Sequence, residues 1–498
     1  MVIESINPAT LEKIGEVEET ELDEIKRFFQ KAREVQIMWR NLTILERARK
    51  VAKINKQIVN QLEEISKLIS KEVGKPPCEA YVSEVYVAVD STYYYYKNIE
   101  RFIGKEEDLS LAFYESLGKK SSIFYQPAGV VAVIGPYNYP FIIPFEQIIQ
   151  SLMAGNAVIF KPSSDTVLTG LKIQELFDTI EEIPTGLIKT VFGSGKTVGS
   201  LMINEADRVI FTGSTETGKI IMKTAADTLT PVCLELGGKS AMVVLPDANI
   251  ERGVMGARWG CFTNSGQVCS SVKRLYLHDE IKEKFTQMLV EKTKALKQGN
   301  PMEKGVDIGA MINKFQMEKV LEMIETAKEE GAKILCGGRR NPNLEGYFIE
   351  PTILEECTND MKCVQEEIFG PVLPILQFSN HDEVIEMVND NKYGLTSSIW
   401  SNDIKKAKDI ALKINSGTVM INNCVYTFGL AATPWGGTKH SGIGRTHGKF
   451  GFHEVTSPIH INIDRSDSSD VWWMPYDKEF KEYMDNFMTI SKSLIINE

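Results

Sequence analysis

The stretch GVVAVIGPYNYPFIIPFEQIIQSLMAGNAVIFKPSS, residues 129–164, decides the fold class. Gly129–Gly135 is a short apolar run ending at Gly-Pro, the pattern of a strand buried on both faces. Pro144–Gly155 follows, with Phe145, Ile148, Ile149, Leu152 and Met153 on one helical face. Ala157–Phe160 is a second apolar run, so strand, helix and strand form a βαβ unit. The alternation continues through a helical stretch at Asp165–Ile180 and strands at Ile188–Phe192, Arg208–Phe211 and Pro231–Leu234. Short helices at Val198–Ile203 and Thr215–Ala226 fill the gaps. Such a succession builds a mostly parallel sheet, which takes its ligands beyond the carboxyl ends of the strands.

Outward from this centre the pattern changes twice. After Ala241–Leu245, longer helices at Ile250–Phe262, Glu280–Leu296, Phe315–Glu330, His381–Asn391 and Asp403–Asn415 predict a second α/β domain. Upstream, the first hundred residues read as helix, dense in Glu, Lys, Leu and Ile from Glu21 to Lys71. The Tyr93–Tyr96 run is expected in a core or an interface. Beyond His453, Ile459–Ile463 looks like a strand. A polar run (DRSDSSD), the aromatic Val471–Tyr476 and a helix-like Lys478–Met488 follow it.

Composition narrows the function. A chain of 498 residues corresponds to roughly three domains at about 150 residues each. With 43 % hydrophobic and 25 % charged residues it is an ordinary globular protein, neither disordered nor collagen-like. A net charge of −11 disfavours a nucleic-acid partner. Met1–Thr10 has no basic and apolar signal pattern, and no apolar run approaches the roughly 18 residues of a membrane span. A cytoplasmic enzyme is expected. The eight cysteines form no CxxC pair, which argues against a disulfide scaffold or a structural zinc site, and no metal is expected.

Several segments carry chemistry. GSTETGKI at Gly213–Ile220 is one residue short of a nucleotide-triphosphate loop, because Ile220 has no hydroxyl for a magnesium ion. The segment follows a strand and opens a helix, so Gly213 and Ser214 suit a pyrophosphate. Cys269 stands in GQVCS after a glycine-containing turn, a more exposed setting than a core thiol. Glu235 ends a strand in ELGGKS, and the glycines after it, Gly237 among them, allow a close approach. Asn138 in GPYNYP has an amide that can donate to an oxyanion. Lys161 in KPSS sits at a strand end, where a ribose or phosphate would lie. EEIFGPV (Glu366–Val372) and PWGG (Pro434–Gly437) are further dense turns.

Together GPYNYP, KPSS, FTGSTETG, ELGGKS, GQVCS, EEIFGPV, PWGG and SGIGR, with the opening NPAT, resemble the aldehyde dehydrogenase superfamily in order and spacing. The resemblance covers about residues 5 to 460. It implies a Rossmann-like cofactor domain, an α/β catalytic domain and a small β oligomerisation element. It further implies oxidation of an aldehyde to a carboxylic acid with NAD or NADP. Cys269 would attack the aldehyde. Asn138 and the Cys269 N–H would hold the oxyanion, and hydride would leave to the nicotinamide. Glu235 would then activate water to hydrolyse the thioester. Gly213, Ser214 and Gly237 would lie along the cofactor, Lys161 at its adenine-side ribose and Glu367 at its nicotinamide ribose. Phe369 would pack near the ring.

Two departures from the family pattern stand out. Ser164 occupies a position where NAD-preferring members often have Glu. Losing that carboxylate removes repulsion against a 2′-phosphate, so NADP is expected to be accepted or preferred. Thr446 follows SGIGR where many members have Glu, with no consequence assigned. Glu235 speaks for the hydrolytic rather than the CoA-acylating branch. A CoA-acylating or acyl-reducing member, or a non-catalytic member of the fold, are the alternatives.

The pocket is expected to include Tyr139, Ile143 and Thr263 and to be closed by residues between Val425 and Trp435. It suits a medium-chain, aromatic or semialdehyde-type aldehyde. Glu146 would disfavour an anionic substrate if it points inward, and the sequence leaves open whether it does. The expected domains are residues 1–105 with 128–236 for the cofactor and 237–440 for catalysis. Residues 106–127 with 453–498 form the oligomerisation element and tail, giving a homodimer or homotetramer. The aromatic tail suits a mouth or a subunit contact, with membrane docking as the second reading.

Overall fold

The apolar runs of the sequence become strands because burial on both faces leaves them no polar side to expose. Val130–Ile134, Ala157–Lys161 and Ser240–Val244 are buried at every residue. The computed structural model describes residues 1–470, 472–476 and 478–493. Of the aromatic tail, Val471 lies outside the described residues. Two compact units are present: residues 1–104 with 126–457, and residues 105–125 with 458–498.

The larger unit holds two mostly parallel sheets. One runs in the order Gly442–Ile443, Val232–Glu235, Arg208–Thr212, Val130–Ile134, Ala157–Lys161, Ile188–Thr190. Its strands are parallel except Gly442–Ile443, which pairs antiparallel with Val232–Glu235. The chain order therefore reverses between Val130–Ile134 and Arg208–Thr212, the crevice where such sheets bind ligands. The carboxyl ends of these strands carry Asn138, Lys161, Gly213 and Glu235, or lead directly to them.

The second sheet has seven strands, in the order Lys333–Cys336, Thr352–Glu355, Val372–Phe378, Val272–His278, Ser240–Val244, Thr396–Trp400, Thr418–Ile421. Its edge strand Lys333–Cys336 is antiparallel to its neighbour and the remaining pairs are parallel. The expected helices appear at Thr215–Ala226 and Ile250–Phe262 with the same bounds, and at Asp279–Lys294, Lys314–Glu329, His381–Asn389 and Ile404–Ala411 with small shifts. The helix Ile142–Ala154 is buried along its whole length. Its polar residues Glu146, Gln147, Gln150 and Ser151 thus have no solvent to face.

The first twenty residues depart from the expected helix. Val2–Ile6 and Lys13–Glu18 form an antiparallel pair. The NPAT turn joins them, and the Ser5 hydroxyl donates to Glu72 at 2.6 Å. Helix begins only at Leu22, where the Glu/Lys/Leu-rich composition starts.

In the smaller unit, Lys119–Pro127 is the central strand between Thr456–Asp464 and Glu107–Asp108. Lys119 pairs with Asp464 and, at 2.8 Å, with Asp470, and its ammonium lies 5.0 Å over the Trp472 ring. The helix Lys478–Ser493 brings Phe487 to 6.0 Å from Phe113.

Candidate active site

Cys269 stands just before the strand Val272–His278, after a turn that is costly to make. Asn264, Ser265 and Gly266 have φ of 50°, 54° and 72°. The left-handed region costs a side-chain-bearing residue about 1–2 kcal/mol, so neighbours must hold the turn. Glu79 does this, accepting the Asn264 N–H at 2.9 Å and the Thr263 hydroxyl at 3.0 Å. Asn264 in turn donates to the carbonyls of Asn138, at 3.0 Å, and Gln267, at 3.2 Å. At Gly266 the turn runs against Gly370, and any side chain would overlap its carbonyl. Cys269 is half-buried, and burial pushes its thiol up to about 12, with the carboxylates of Glu235 and Glu367 adding to the effect.

Glu235 closes the strand Val232–Glu235 and is 5 % exposed. Burial holds its carboxyl well above the usual range, while the Arg445 charge and the Thr446 hydroxyl, 3.4 Å from Oε1, pull the other way. Its Oε2 has no hydrogen-bond partner among the described residues. Cys269 and Glu235 line one cavity, together with Ile143, Thr212, Leu236, Phe428, Trp435 and Thr446. Glu146, Gln147, Gln150 and His447 complete the wall. Glu146 therefore faces inward, at 2 % exposure.

Asn138 is buried, and its Nδ2 donates to the Gln267 carbonyl at 3.0 Å, two residues ahead of Cys269. One of its two amide hydrogens is engaged there, which leaves the second for another acceptor. The Asn138 carbonyl accepts from Lys75 at 2.6 Å. Of the expected pocket residues, Ile143 lies in the cavity wall. The Lys75 ammonium lies 3.9 Å from the Tyr139 ring centre, and the Thr263 hydroxyl donates to Glu79 at 3.0 Å. Phe428 and Trp435 come from the expected closing segment. Thr446, His447, Gln147 and Gln150 were not singled out by sequence reasoning as lining the cavity. Spacing after Asn138 could have found the two glutamines, one and four residues beyond Glu146 on the same helix.

A second cleft holds Ser214, Thr215, Glu367, Lys392 and Tyr393. Ser214 caps the helix Thr215–Ala226, its side chain accepting the Thr217 N–H at 3.2 Å. Glu367 accepts the Gly238 N–H at 2.9 Å, and a side chain at Gly237 would overlap the Glu367 carboxylate. Burial raises the Glu367 carboxyl. Lys161 is buried at the end of its strand and donates to the Pro162 carbonyl at 3.1 Å; burial lowers its ammonium to about 8. Ser164 is exposed, and Phe369 meets Tyr137 edge-on at 5.9 Å. This donor set fits a nicotinamide dinucleotide: a helix N-terminus for phosphate, a carboxylate for ribose hydroxyls and a cation at the next strand end.

Comparison with known proteins agrees. Residues 1–461 match the aldehyde dehydrogenase family. The chain is 38 % identical over 475 residues to a betaine aldehyde dehydrogenase of Bacillus subtilis, covering 94 % of this chain and 95 % of that one. It is 36 % identical over 467 residues to a 4,4′-diapolycopene aldehyde oxidase of Methylomonas, covering 93 % and 86 %. The structure of an aldehyde dehydrogenase of Bacillus cereus in complex with NAD+ superposes with a TM-score of 0.89 at 34 % identity, covering 94 % of each chain.

Proposed function

The chain belongs to the aldehyde dehydrogenase family and oxidises aldehydes with NAD or NADP, and we propose that Cys269, Glu235 and Asn138 carry the reaction by the hydrolytic route. The observation that carries this reading is the cavity shared by the Cys269 thiol and the Glu235 carboxylate. The Cys269 sulfur bonds to the aldehyde carbon as its proton passes to solvent; burial makes Glu235, which acts in the later hydrolysis, a stronger base than a surface carboxylate. The free amide hydrogen of Asn138 and the Cys269 N–H stabilise the oxyanion. When bound, the nicotinamide cofactor takes up the hydride that the carbon loses, leaving a thioester on Cys269. Glu235 then takes a proton from water, the hydroxide displaces the sulfur, and the acid and thiol are released.

Lys161, Gly213, Ser214, Gly237, Glu367 and Phe369 would hold the cofactor, with exposed Ser164 leaving room for a 2′-phosphate. Among the described residues, two carboxylates, Glu146 and Glu235, line the cavity and no Lys or Arg does. This supports an uncharged or cationic aldehyde over an anionic semialdehyde. Residues 1–105 with 128–236 and 237–440 would act as cofactor and catalytic domains, and 106–127 with 453–498 as an element joining copies into a homodimer or homotetramer. No helix of the described residues is long and apolar enough to cross a membrane. The eight free cysteines favour a reducing, cytoplasmic setting.

The test is formation of reduced nicotinamide with a panel of aldehydes, with and without CoA. Oxidation that does not need CoA, and is abolished in Cys269→Ala, is expected. A requirement for CoA would overturn the hydrolytic route.

A further inference from the structure

The helix Ile142–Ala154 is buried at all thirteen residues, yet it carries a polar stripe into the cavity that holds Cys269. Glu146, Gln147 and Gln150 are each at most 3 % exposed, and His447 joins them at 1 %. Glu146 is held in place by Tyr95, which donates to Oε1, and by Nε2 of His447, 2.8 Å from Oε2. Gln147 donates one amide hydrogen to the Thr212 hydroxyl at 3.2 Å. Among the described residues, four buried polar atoms of this group have no hydrogen-bond partner: Oε2 of Glu146, Oε1 of Gln147, Nε2 of Gln150 and Nδ1 of His447.

Buried polar groups are normally paired, and leaving them bare is costly. Four bare atoms on residues of one cavity wall, next to a nucleophile, point to a ligand that pairs them. They include an acceptor, the Gln147 carbonyl oxygen, and a donor, the Gln150 amide. An ammonium group can only donate, and leaves Gln150 bare. A carboxylate can only accept, and also faces the Glu146 and Glu235 charges. An alkyl chain satisfies none of them. A hydroxyl both donates and accepts. Phe428, 4.7 Å from the His447 ring, and Trp435 supply an apolar wall for the carbon skeleton.

Resting on the dehydrogenase reading above, we propose that Glu146, Gln147, Gln150 and His447 form a specificity subsite for a hydroxyl group, so that the substrate is a short, uncharged hydroxyaldehyde. Glu146 orients His447 and excludes anions. Gln147 and Gln150 read the hydroxyl.

The experiment compares kcat/KM for four aldehydes of equal chain length, bearing a terminal methyl, hydroxyl, amine or carboxylate, in the wild type and in Gln147→Leu and Gln150→Leu. A site built around a hydroxyl rejects the analogue that lacks it, so the wild type favours the hydroxyaldehyde over the alkyl aldehyde by at least about tenfold. Either variant brings that ratio towards one, chiefly through KM. The wild-type ratio is itself decisive, so the proposal stands or falls even if a variant does not fold. A wild-type preference for the amine or the alkyl chain overturns the subsite while leaving the dehydrogenase reading intact. So does a ratio near one, the result expected if only water pairs these atoms. Failure to oxidise any of the four, or a wider panel of aldehydes, overturns both.

Discussion

The Thr446 hydroxyl lies 3.4 Å from Oε1 of Glu235, and the two residues reach each other because the strand Gly442–Ile443 pairs antiparallel with the strand that Glu235 ends. The hydroxyl is among the groups that oppose the burial-driven rise of the Glu235 carboxyl. In Thr446→Val that counterweight is lost and the carboxyl rises further. The base form of Glu235 exists only above its pKa, so the alkaline-activated limb of the kcat profile moves to higher pH. Turnover at neutral pH falls about threefold, within the range of one lost hydrogen bond. An unmoved limb would show that Glu235 does not titrate in the rate-limiting step.

Glu235→Gln keeps the shape of the site and removes its base. Attack by Cys269 and hydride loss proceed without Glu235, whereas hydrolysis of the thioester requires the base. A burst of reduced nicotinamide followed by a steady rate lower by about 10²–10⁴ is expected in stopped-flow traces. Loss of burst and steady rate together would place Glu235 before the thioester rather than after it.

Much of this site was legible in the sequence, because its backbone pieces sit at the ends of short apolar strands. Asn138, Lys161, Gly213 and Glu235 all follow runs whose burial is dictated by composition, and the topology collects such ends at one crevice. The opening hairpin at Val2–Glu18 was not legible, because its strands are short and mostly not buried, and they are tied to distant partners such as Glu72. The meeting of Glu146 with His447 was hidden for a related reason. The two residues come from remote parts of the chain, and periodicity tells only that their helix is buried, not what its polar residues face.

Cofactor choice turns on Lys161 and Ser164. Burial lowers the Lys161 ammonium to about 8, so its charge is lost as pH rises through that value. If it pairs with a 2′-phosphate, kcat/KM for NADP declines above pH 8 more steeply than kcat/KM for NAD. Ser164→Glu places a carboxylate beside that phosphate and lowers the NADP-to-NAD ratio of kcat/KM by about tenfold. Equal ratios in wild type and variant would remove Ser164 from the choice.

The thiol of Cys269 is pushed up to about 12, whereas Cys78 is exposed. Without cofactor, iodoacetamide at neutral pH should label Cys78 well ahead of Cys269, as read by peptide mass spectrometry. The rate at Cys269 climbs about tenfold per pH unit until the thiol ionises, because the thiolate is the reactive form. Replacing the nearby carboxylate in Glu235→Gln lowers the thiol's pKa and speeds its labelling, opposite to its effect on turnover. Fast labelling of Cys269 at neutral pH in the free protein would contradict the half-buried, neutral thiol.

Lys75 and Glu84 form an ion pair at 2.8 Å with both side chains fully buried. Glu84 also accepts the N–H groups of Phe141, at 2.9 Å, and Ile142, at 3.3 Å, at the start of the helix that carries Glu146. Lys75 gives a second hydrogen bond, at 2.6 Å, to the Asn138 carbonyl. The pair therefore ties the proposed oxyanion donor to the helix that lines the cavity. Glu84→Gln leaves the lysine charge buried without its counter-ion, a change that costs about 3–5 kcal/mol. Lys75→Met strands the carboxylate in the same way. The double variant strands neither charge, so its loss of stability is smaller than the sum of the two single losses. Thermal unfolding of the four proteins measures the coupling, and kcat for one aldehyde shows how far Asn138 has moved. Strictly additive losses would mean that the two charges do not depend on each other, and that Asn138 is held by its bonds to Gln267 and Asn264.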